Sequence, residues 1–161
     1  MTHARIVSLV GLGLAIAISA VACGASAVVP YRREGAAPAA DLAVRATRAL
    51  VEGGSHTDVN AAGLAAMLEK KDFPLINVHV PYEGEIEGTD LFIPYDEIES
   101  HLDRLPLDKN ARIALYCRSG NMSASAARTL ARLGYTDIWN LDGGMIAWKA
   151  AGYALVDKNR E

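Results

Sequence analysis

The sequence places one cysteine, Cys117, where a reactive thiol is expected. It follows the apolar run "IALY" and precedes "RSGNMS", which contains a glycine and small polar side chains, and then an alanine-rich segment of helical composition. A strand, a glycine-containing loop and a helix in this order can gather backbone N–H groups and the positive end of a helix dipole around one atom. Both stabilise an anion, so the pattern predicts a nucleophilic thiolate.

The residues after the cysteine complete a candidate anion site. Arg118 provides a cation that can hold an oxyanion, and the polar side chains of the loop are expected to support it through hydrogen bonds to the backbone, namely those of Ser119, Asn121 and Ser123. The predicted site has Cys117 as its catalytic residue and a substrate-binding loop formed by Arg118, Ser119, Gly120, Asn121, Met122 and Ser123. The alternative is a buried thiol at a strand end, since free cysteine is among the most buried residue types.

Two other kinds of site are not indicated. The chain has four histidines, none at ligand spacing with Cys117: His3, His56, His79 and His101. We therefore expect no metal or other cofactor. The 161 residues carry a formal net charge of -3 with lysine and arginine scattered along the chain, which does not favour a nucleic-acid partner.

The elements around the cysteine alternate between strand and helix patterns. Strands are predicted at "PLINVHV", "ARIALY" and "TDIWNL", and a short strand or turn at the start of "LFIPYDEIESHLDRL". Helices are predicted at "TDVNAAGLAAMLEKKD", in the second half of "LFIPYDEIESHLDRL", at "SASAARTLARLG" before its closing Gly134, and at "GGMIAWKAAG". This alternation predicts an α/β domain with a small parallel sheet flanked by helices. Cys117 would lie at the carboxyl end of a strand, where such sheets bind ligands.

The first residues have the order of a secretory signal: Arg5, then a long uncharged stretch, then small residues before a cysteine. The closing "AVAC" resembles the lipobox of bacterial lipoproteins. Residues 1–22 are thus predicted to be a lipoprotein-type signal peptide, with Cys23 lipidated as the first residue of the mature chain. The alternatives are an uncleaved membrane anchor, or ordinary cleavage near Ala25 or Ala27.

The remaining chain divides into a tether and a domain. Residues 23–55 are rich in alanine, glycine and proline and predict a tether, in which residues 41–52 can form a short helix. Residues 56–161 are predicted to form the α/β domain. This organisation implies an extracytoplasmic, membrane-anchored lipoprotein facing the periplasm or the cell surface. With Cys23 acylated, Cys117 has no disulfide partner.

Three motifs resemble those of single-domain rhodaneses, the rhodanese-like sulfurtransferases. "YCRSGNMS" is similar to the active-site loop of the family, "LDGGMIAWKAAGYAL" to its C-terminal signature, and "LINVHVPYEGEIEGTDLFIPYDEI" to its N-terminal strand and loop. The C-terminal motif is the most specific. Gly143 and Gly144 are expected to form a tight turn beside the active loop, and Trp148 to pack in the core. The resemblance implies a three-layer rhodanese-like fold.

The chain departs from the family pattern at four positions. Asn77 and His79 stand where the first strand commonly has an aspartate and an arginine, Glu85 replaces a histidine, and Met122 replaces a frequent loop arginine, which leaves Arg118 as the loop's cation. His79 is expected to be a structural neighbour of the sheet. The carboxylates of the loop after the first strand are expected to form a solvated face, namely those of Glu83, Glu85 and Glu87.

The resemblance implies sulfur transfer through Cys117. The cysteine would hold a persulfide taken from a small donor anion, thiosulfate or a related sulfane compound, and pass it to a thiol or cyanide. A phosphatase on this fold is disfavoured, because such relatives have an arginine six positions after the cysteine, where this chain has Ser123. A surface-tethered binding or redox-sensing module without turnover stays open as the alternative, since Met122 removes a cation. The oligomeric state is not predicted.

Overall fold

The computed structural model describes residues 43–158. The predicted signal peptide, the lipidated Cys23 and most of the predicted tether lie outside the described residues and stay predictions. Within residues 43–158, no helix combines the length and apolar character needed to cross a membrane.

A six-stranded sheet runs through the described part of the chain, in the order β1-β2-β6-β5-β3-β4. Its strands are β1 (Ala46–Val51), β2 (Gly54–Val59), β3 (Leu75–Asn77), β4 (Leu91–Phe92), β5 (Ile113–Tyr116) and β6 (Ile138–Leu141). The first two strands pair antiparallel, and all other neighbours in the sheet are parallel. The predicted parallel α/β architecture is confirmed.

Helices cover both faces of this sheet, which gives the three expected layers. They are α1 (Ala61–Leu68), α2 (Asn121–Arg132), α3 (Gly144–Ala150) and a 3₁₀ helix at Ile98–Arg104. Alternate residues of β5 enter two separate apolar cores: Ile113 and Leu115 pack with α2 and the 3₁₀ helix, whereas Ala114 and Tyr116 pack with α1 and α3. Cys117 continues this alternation and joins the core beside α2.

The helix considered for residues 41–52 is wrong, because β1 (Ala46–Val51) occupies half of that segment. A two-residue turn with Gly53 at φ 83° connects β1 to β2, and Val51 pairs with Gly54. The sheet therefore begins at Ala46, earlier than the predicted domain start at residue 56. Most side chains of β1 are exposed, so its sequence carries no alternating apolar pattern, and backbone pairing with β2 decides its structure.

The helix predicted after residue 57 starts later than its pattern indicates. Val59 is the last residue of β2, and Asn60 caps α1 by accepting a hydrogen bond from the N–H of Gly63, 3.0 Å away. Helix α2 begins at Asn121, two residues before the predicted start, and ends just before Gly134, which adopts φ 88°. The predicted stop at Gly134 is confirmed.

Candidate active site

The sulfur of Cys117 lies at the end of β5 and is surrounded by hydrogen-bond donors. Cys117 is 1% exposed. Its Sγ is 3.1 Å from the backbone nitrogen of Gly120 and 3.5 Å from the hydroxyl oxygen of Ser123. Donors aimed at sulfur stabilise an anion there more than a neutral thiol. The arrangement suits a thiolate or a persulfide.

The backbone of Gly120 is what brings its N–H to the sulfur. The residue caps α2 in the left-handed region with φ 91°, where side chains other than glycine are strained. A Cβ at this position would lie 3.1 Å from the nitrogen of Gly143. The sharp turn of the loop therefore depends on a glycine at this place.

Backbone hydrogen bonds from the C-terminal motif fix the active-site loop. The backbone nitrogens of Met145 and Ile146 donate to the carbonyls of Cys117 and Arg118 over 2.9 and 3.0 Å. This close approach requires Gly144, because a Cβ there would overlap the carbonyl oxygen of Cys117. With these carbonyls engaged by α3, the loop's conformation is fixed before any ligand arrives.

Trp148 anchors α3 in the core, as the sequence predicts. It is 5% exposed, its indole N–H donates to the carbonyl of Ala154 over 3.0 Å, and its ring stacks on Tyr153 with centroids 4.3 Å apart. The two-glycine turn and the tryptophan therefore both position α3, whose first backbone N–H groups donate to the active-site loop.

The polar side chains of the active-site loop differ in how far they support its conformation. The Ser123 hydroxyl lies 3.1 Å from the carbonyl oxygen of Gly120, as well as near the sulfur, which fits its predicted supporting role. Ser119 and Asn121 are exposed, and their side chains make no hydrogen bond with any described residue. The prediction that these two side chains support the loop through hydrogen bonds is therefore wrong, because both are exposed at the surface.

Arg118 is held by Glu83, which follows β3. Two guanidinium nitrogens each lie 3.5 Å from a carboxylate oxygen of Glu83, and the arginine side chain is 58% exposed. The pair lines a surface cavity of about 140 Å³ together with Lys149 and the apolar side chains of Met145, Ile146 and Leu155. Two cations and one carboxylate in this cavity favour a small anionic ligand there.

His79 and Met122 contact each other. The Nδ1 of His79 is 3.4 Å from the Sδ of Met122, and its Nε2 is 3.6 Å from Glu83. The backbone N–H of His79 donates to the side chain of Asn77, whose amide in turn donates to the carbonyl of Gly84. From the sequence, His79 is expected to be a neighbour of the sheet, and its contact with Met122 is not predicted. The available signal is that both residues depart from the family pattern.

The expected solvated face of three glutamates is only partly correct. Glu87 is exposed, and Glu83 is exposed but paired with Arg118. Glu85 is fully buried, with Lys158 Nζ 3.0 Å from its carboxylate and its backbone bridged to Val156. The expectation is wrong for Glu85, because the chain's C-terminal segment folds over it.

Tyr116 fixes the loop that carries Glu83. The phenol oxygen accepts from the N–H of Ile86 over 3.0 Å and lies 2.7 Å from the hydroxyl of Thr89. Burial raises the pKa of Tyr116 well above its ordinary value. The hydrogen bonds made by its neutral hydroxyl tie β5 to the segment between β3 and β4.

No group of three or more histidine, cysteine, aspartate or glutamate side chains that could hold a metal ion is found among residues 43–158. Cys117 is a free thiol.

The fold and this loop belong to a known family. The model of the rhodanese-like domain matches residues 60–151, so the chain belongs to the rhodanese-like family. A sulfurtransferase of Allochromatium vinosum is 31% identical over 103 residues, which are 62% of this chain and 94% of that protein. The thiosulfate sulfurtransferase PspE of Escherichia coli is 33% identical over 70 residues, 42% of this chain and 67% of that protein.

Solved structures agree with this assignment. The crystal structure of a rhodanese-related protein from Thermoplasma volcanium has a TM-score of 0.53 and 30% identity, and the match covers 62% of this chain and 96% of that one. Some other relatives are much longer, and the matched region is 27% of one and 19% of another. The relatives support a role in the sulfurtransferase family for the domain.

Proposed function

We propose that the protein is a rhodanese-type sulfurtransferase that carries sulfur as a persulfide on Cys117. The observation that carries this proposal is the N–H of Gly120, 3.1 Å from the cysteine sulfur in a loop whose backbone is already fixed by α3. The sulfurtransferase names of the similar proteins support the same reaction class.

The reaction is a double displacement. The Cys117 thiolate attacks the outer sulfur of thiosulfate or a related sulfane donor; a new S–S bond forms, and the donor's S–S bond breaks with its electron pair leaving on sulfite. A thiolate or cyanide then attacks the outer sulfur of the persulfide. The S–S bond breaks, the Cys117 thiolate returns, and the product is a persulfide or thiocyanate. No external oxidant or reductant is needed.

The surrounding residues have separate roles in this reaction. The Gly120 N–H stabilises negative charge on the cysteine sulfur and, after the first step, on the persulfide. The Ser123 hydroxyl has a single proton, which it donates either to this sulfur or to the carbonyl of Gly120. Arg118, exposed at the rim and oriented by Glu83, attracts and orients the donor's oxygen atoms. No carboxylate is required as a general acid, since the leaving sulfite is stable as an anion.

Mass spectrometry tests the proposal. The reduced protein is treated with thiosulfate, and a gain of one sulfur on the peptide containing Cys117 is expected, with none in Cys117→Ser. Later addition of cyanide should remove the added sulfur and yield thiocyanate. Failure of every sulfane donor to label Cys117, under conditions that label a known rhodanese, contradicts the proposal.

A second candidate is a binding or redox-sensing module without turnover. Two observations favour it: Cys117 is 1% exposed, and the thioether of Met122 stands in the loop at a position where a cation is frequent. For a binding module, Cys117→Ser would leave partner binding and cell phenotype unchanged; a redox sensor would keep partner binding but lose its response to oxidants, and a sulfurtransferase would lose sulfur transfer.

A further inference from the structure

We infer that the C-terminal segment of the described chain, residues 155–158, is a positioning element of the donor site: it fixes the loop that carries Glu83 and, through Glu83, orients the guanidinium of Arg118. The inference rests on the proposed function, in which Arg118 orients the donor. Its test measures anion binding without sulfur transfer, so that the inference and the proposed function can fail separately.

The C-terminal segment is hydrogen-bonded to residues on both sides of Glu83. The backbones of Val156 and Glu85 exchange two hydrogen bonds, each 2.8 Å long. The backbone N–H of Lys158 donates to the phenol oxygen of Tyr82 over 3.0 Å. Because the chain is fixed both before and after Glu83, the carboxylate of Glu83 has few positions available to it.

A buried ion pair strengthens this attachment. The side chain of Glu85 is 0% exposed, and the Nζ of Lys158 lies 3.0 Å from its carboxylate. Removing one partner of a buried carboxylate is costly, so the contact with Lys158 favours the attached segment over a detached one. Glu85 stands where the family pattern has a histidine, and Lys158 lies beyond the matched residues 60–151. The pair therefore joins a departure from the family pattern to a residue outside the matched region.

The constraint reaches Arg118 through its contacts with Glu83. Two guanidinium nitrogens each lie 3.5 Å from a different carboxylate oxygen of Glu83, and this two-point contact sets the plane of the guanidinium as well as its position. Leu155 of the same segment lines the cavity that Glu83 and Arg118 line. An arginine side chain that is already oriented loses less conformational entropy when it binds an anion.

Titration calorimetry of thiosulfate with the Cys117→Ser protein tests the inference. Gly84 has φ 88°, and a Cβ there would lie 3.3 Å from the carbonyl oxygen of Val156. Gly84→Ala thus strains the attachment without changing any charge. We expect it to weaken thiosulfate binding about two- to threefold, the low end of the cost of immobilising a long side chain on binding. Gly88→Ala is the matched control, because Gly88 has φ 83° but the nearest atom to its Cβ would be 4.0 Å away, so the affinity should not change.

A second substitution acts on the ion pair instead of the backbone. Lys158→Met should weaken thiosulfate binding by a similar factor, and the conservative Lys158→Arg should keep the original affinity. Lys71→Met is the control for loss of a paired lysine, since the Nζ of Lys71 lies 2.6 Å from Asp90, a residue that does not line the cavity at Arg118. It should leave the affinity for thiosulfate unchanged.

Coupling to Glu83 separates a positioning role from a general loss of structure. In a Glu83→Gln background the carboxylate that orients the guanidinium is already gone, so neither Gly84→Ala nor Lys158→Met should weaken thiosulfate binding further. The inference is overturned if Cys117→Ser does not bind thiosulfate, if either substitution leaves the affinity unchanged, if a control weakens binding as much, or if the effects are equally large with Glu83→Gln. Labelling of Cys117 in the protein that retains its cysteine is a separate measurement and tests the proposed function.

Discussion

The backbone N–H of Gly120 points at the sulfur of Cys117, 3.1 Å away, from a residue with φ 91°. The donor and the nucleophile are three residues apart, and only a turn through the left-handed region brings them together. The position of this donor at the sulfur is therefore set by the path of the backbone, and α3 stabilises that path through the carbonyls of Cys117 and Arg118.

Substitution of Gly120 by alanine should slow persulfide formation. The new Cβ meets the nitrogen of Gly143 at 3.1 Å and the residue is strained at φ 91°, so the loop has to move and the N–H leaves the sulfur. We expect the labelling rate with thiosulfate to fall by about a hundred- to a thousandfold, as for loss of one donor to a developing anion. Gly152→Ala is the matched control, because Gly152 has φ 91° and open space around it. Equal rates in both variants would contradict the role of the Gly120 N–H.

Substitution of Arg118 by alanine should weaken donor binding more than it weakens the fold. Its guanidinium is exposed and held only at 3.5 Å by Glu83, so the free energy of unfolding should change by less than about 1 kcal/mol. The KM for thiosulfate should rise about two- to fivefold, with kcat nearly unchanged. Arg112→Ala, which removes a similarly exposed arginine paired with Asp137, is the control. A KM that stays at the original value excludes Arg118 from donor binding.

Tyr116 should make the fold sensitive to alkaline pH. Because burial raises the pKa of Tyr116 in the folded protein, the unfolded chain ionises first, near pH 10, and the folded state loses stability as the pH rises further. The loss is about 1.4 kcal/mol per pH unit above that point. Urea unfolding of Tyr116→Phe should give lower stability at neutral pH, since the contacts with Ile86 and Thr89 are lost, but a shallower decline at high pH. An identical decline in both proteins would show that another group is responsible.

The predicted lipid anchor is tested by metabolic labelling with a fatty acid. A full-length chain expressed in a bacterium should incorporate the label on Cys23 and fractionate with membranes, because "AVAC" at positions 20–23 supplies the small residues before a lipidated cysteine. Cys23→Ser should lose the label, and Cys117→Ser should keep it. Retention of label in Cys23→Ser would refute the lipoprotein prediction.

The parts of the fold that the sequence predicts are those with a strong local pattern. β5 and β6 are short apolar runs, and α2 ends at a glycine, so burial and turn chemistry agree along the chain. β1 lacks such a pattern because most of its side chains are exposed. Its strand structure comes from pairing with β2. The sequence of β1 has no alternation of apolar residues that would predict this pairing.

The candidate site likewise has parts that the local sequence predicts and parts that it does not. The order of strand, cysteine, glycine and helix is local, so Cys117 and its donors are predictable from their spacing. The contact between His79 and Met122 joins residues 43 positions apart, and neither residue has a local pattern that indicates the other. Glu85 is misjudged for a similar reason, because the segment that buries it lies near the end of the described chain.

The most direct test of the account is the mass of the Cys117 peptide after brief exposure to thiosulfate and removal of the excess. One added sulfur on that peptide, released as thiocyanate by cyanide and absent from Cys117→Ser, is the predicted result. An unmodified Cys117 after treatment with thiosulfate, organic trisulfides and a low-molecular-weight persulfide would contradict sulfur transfer by this protein.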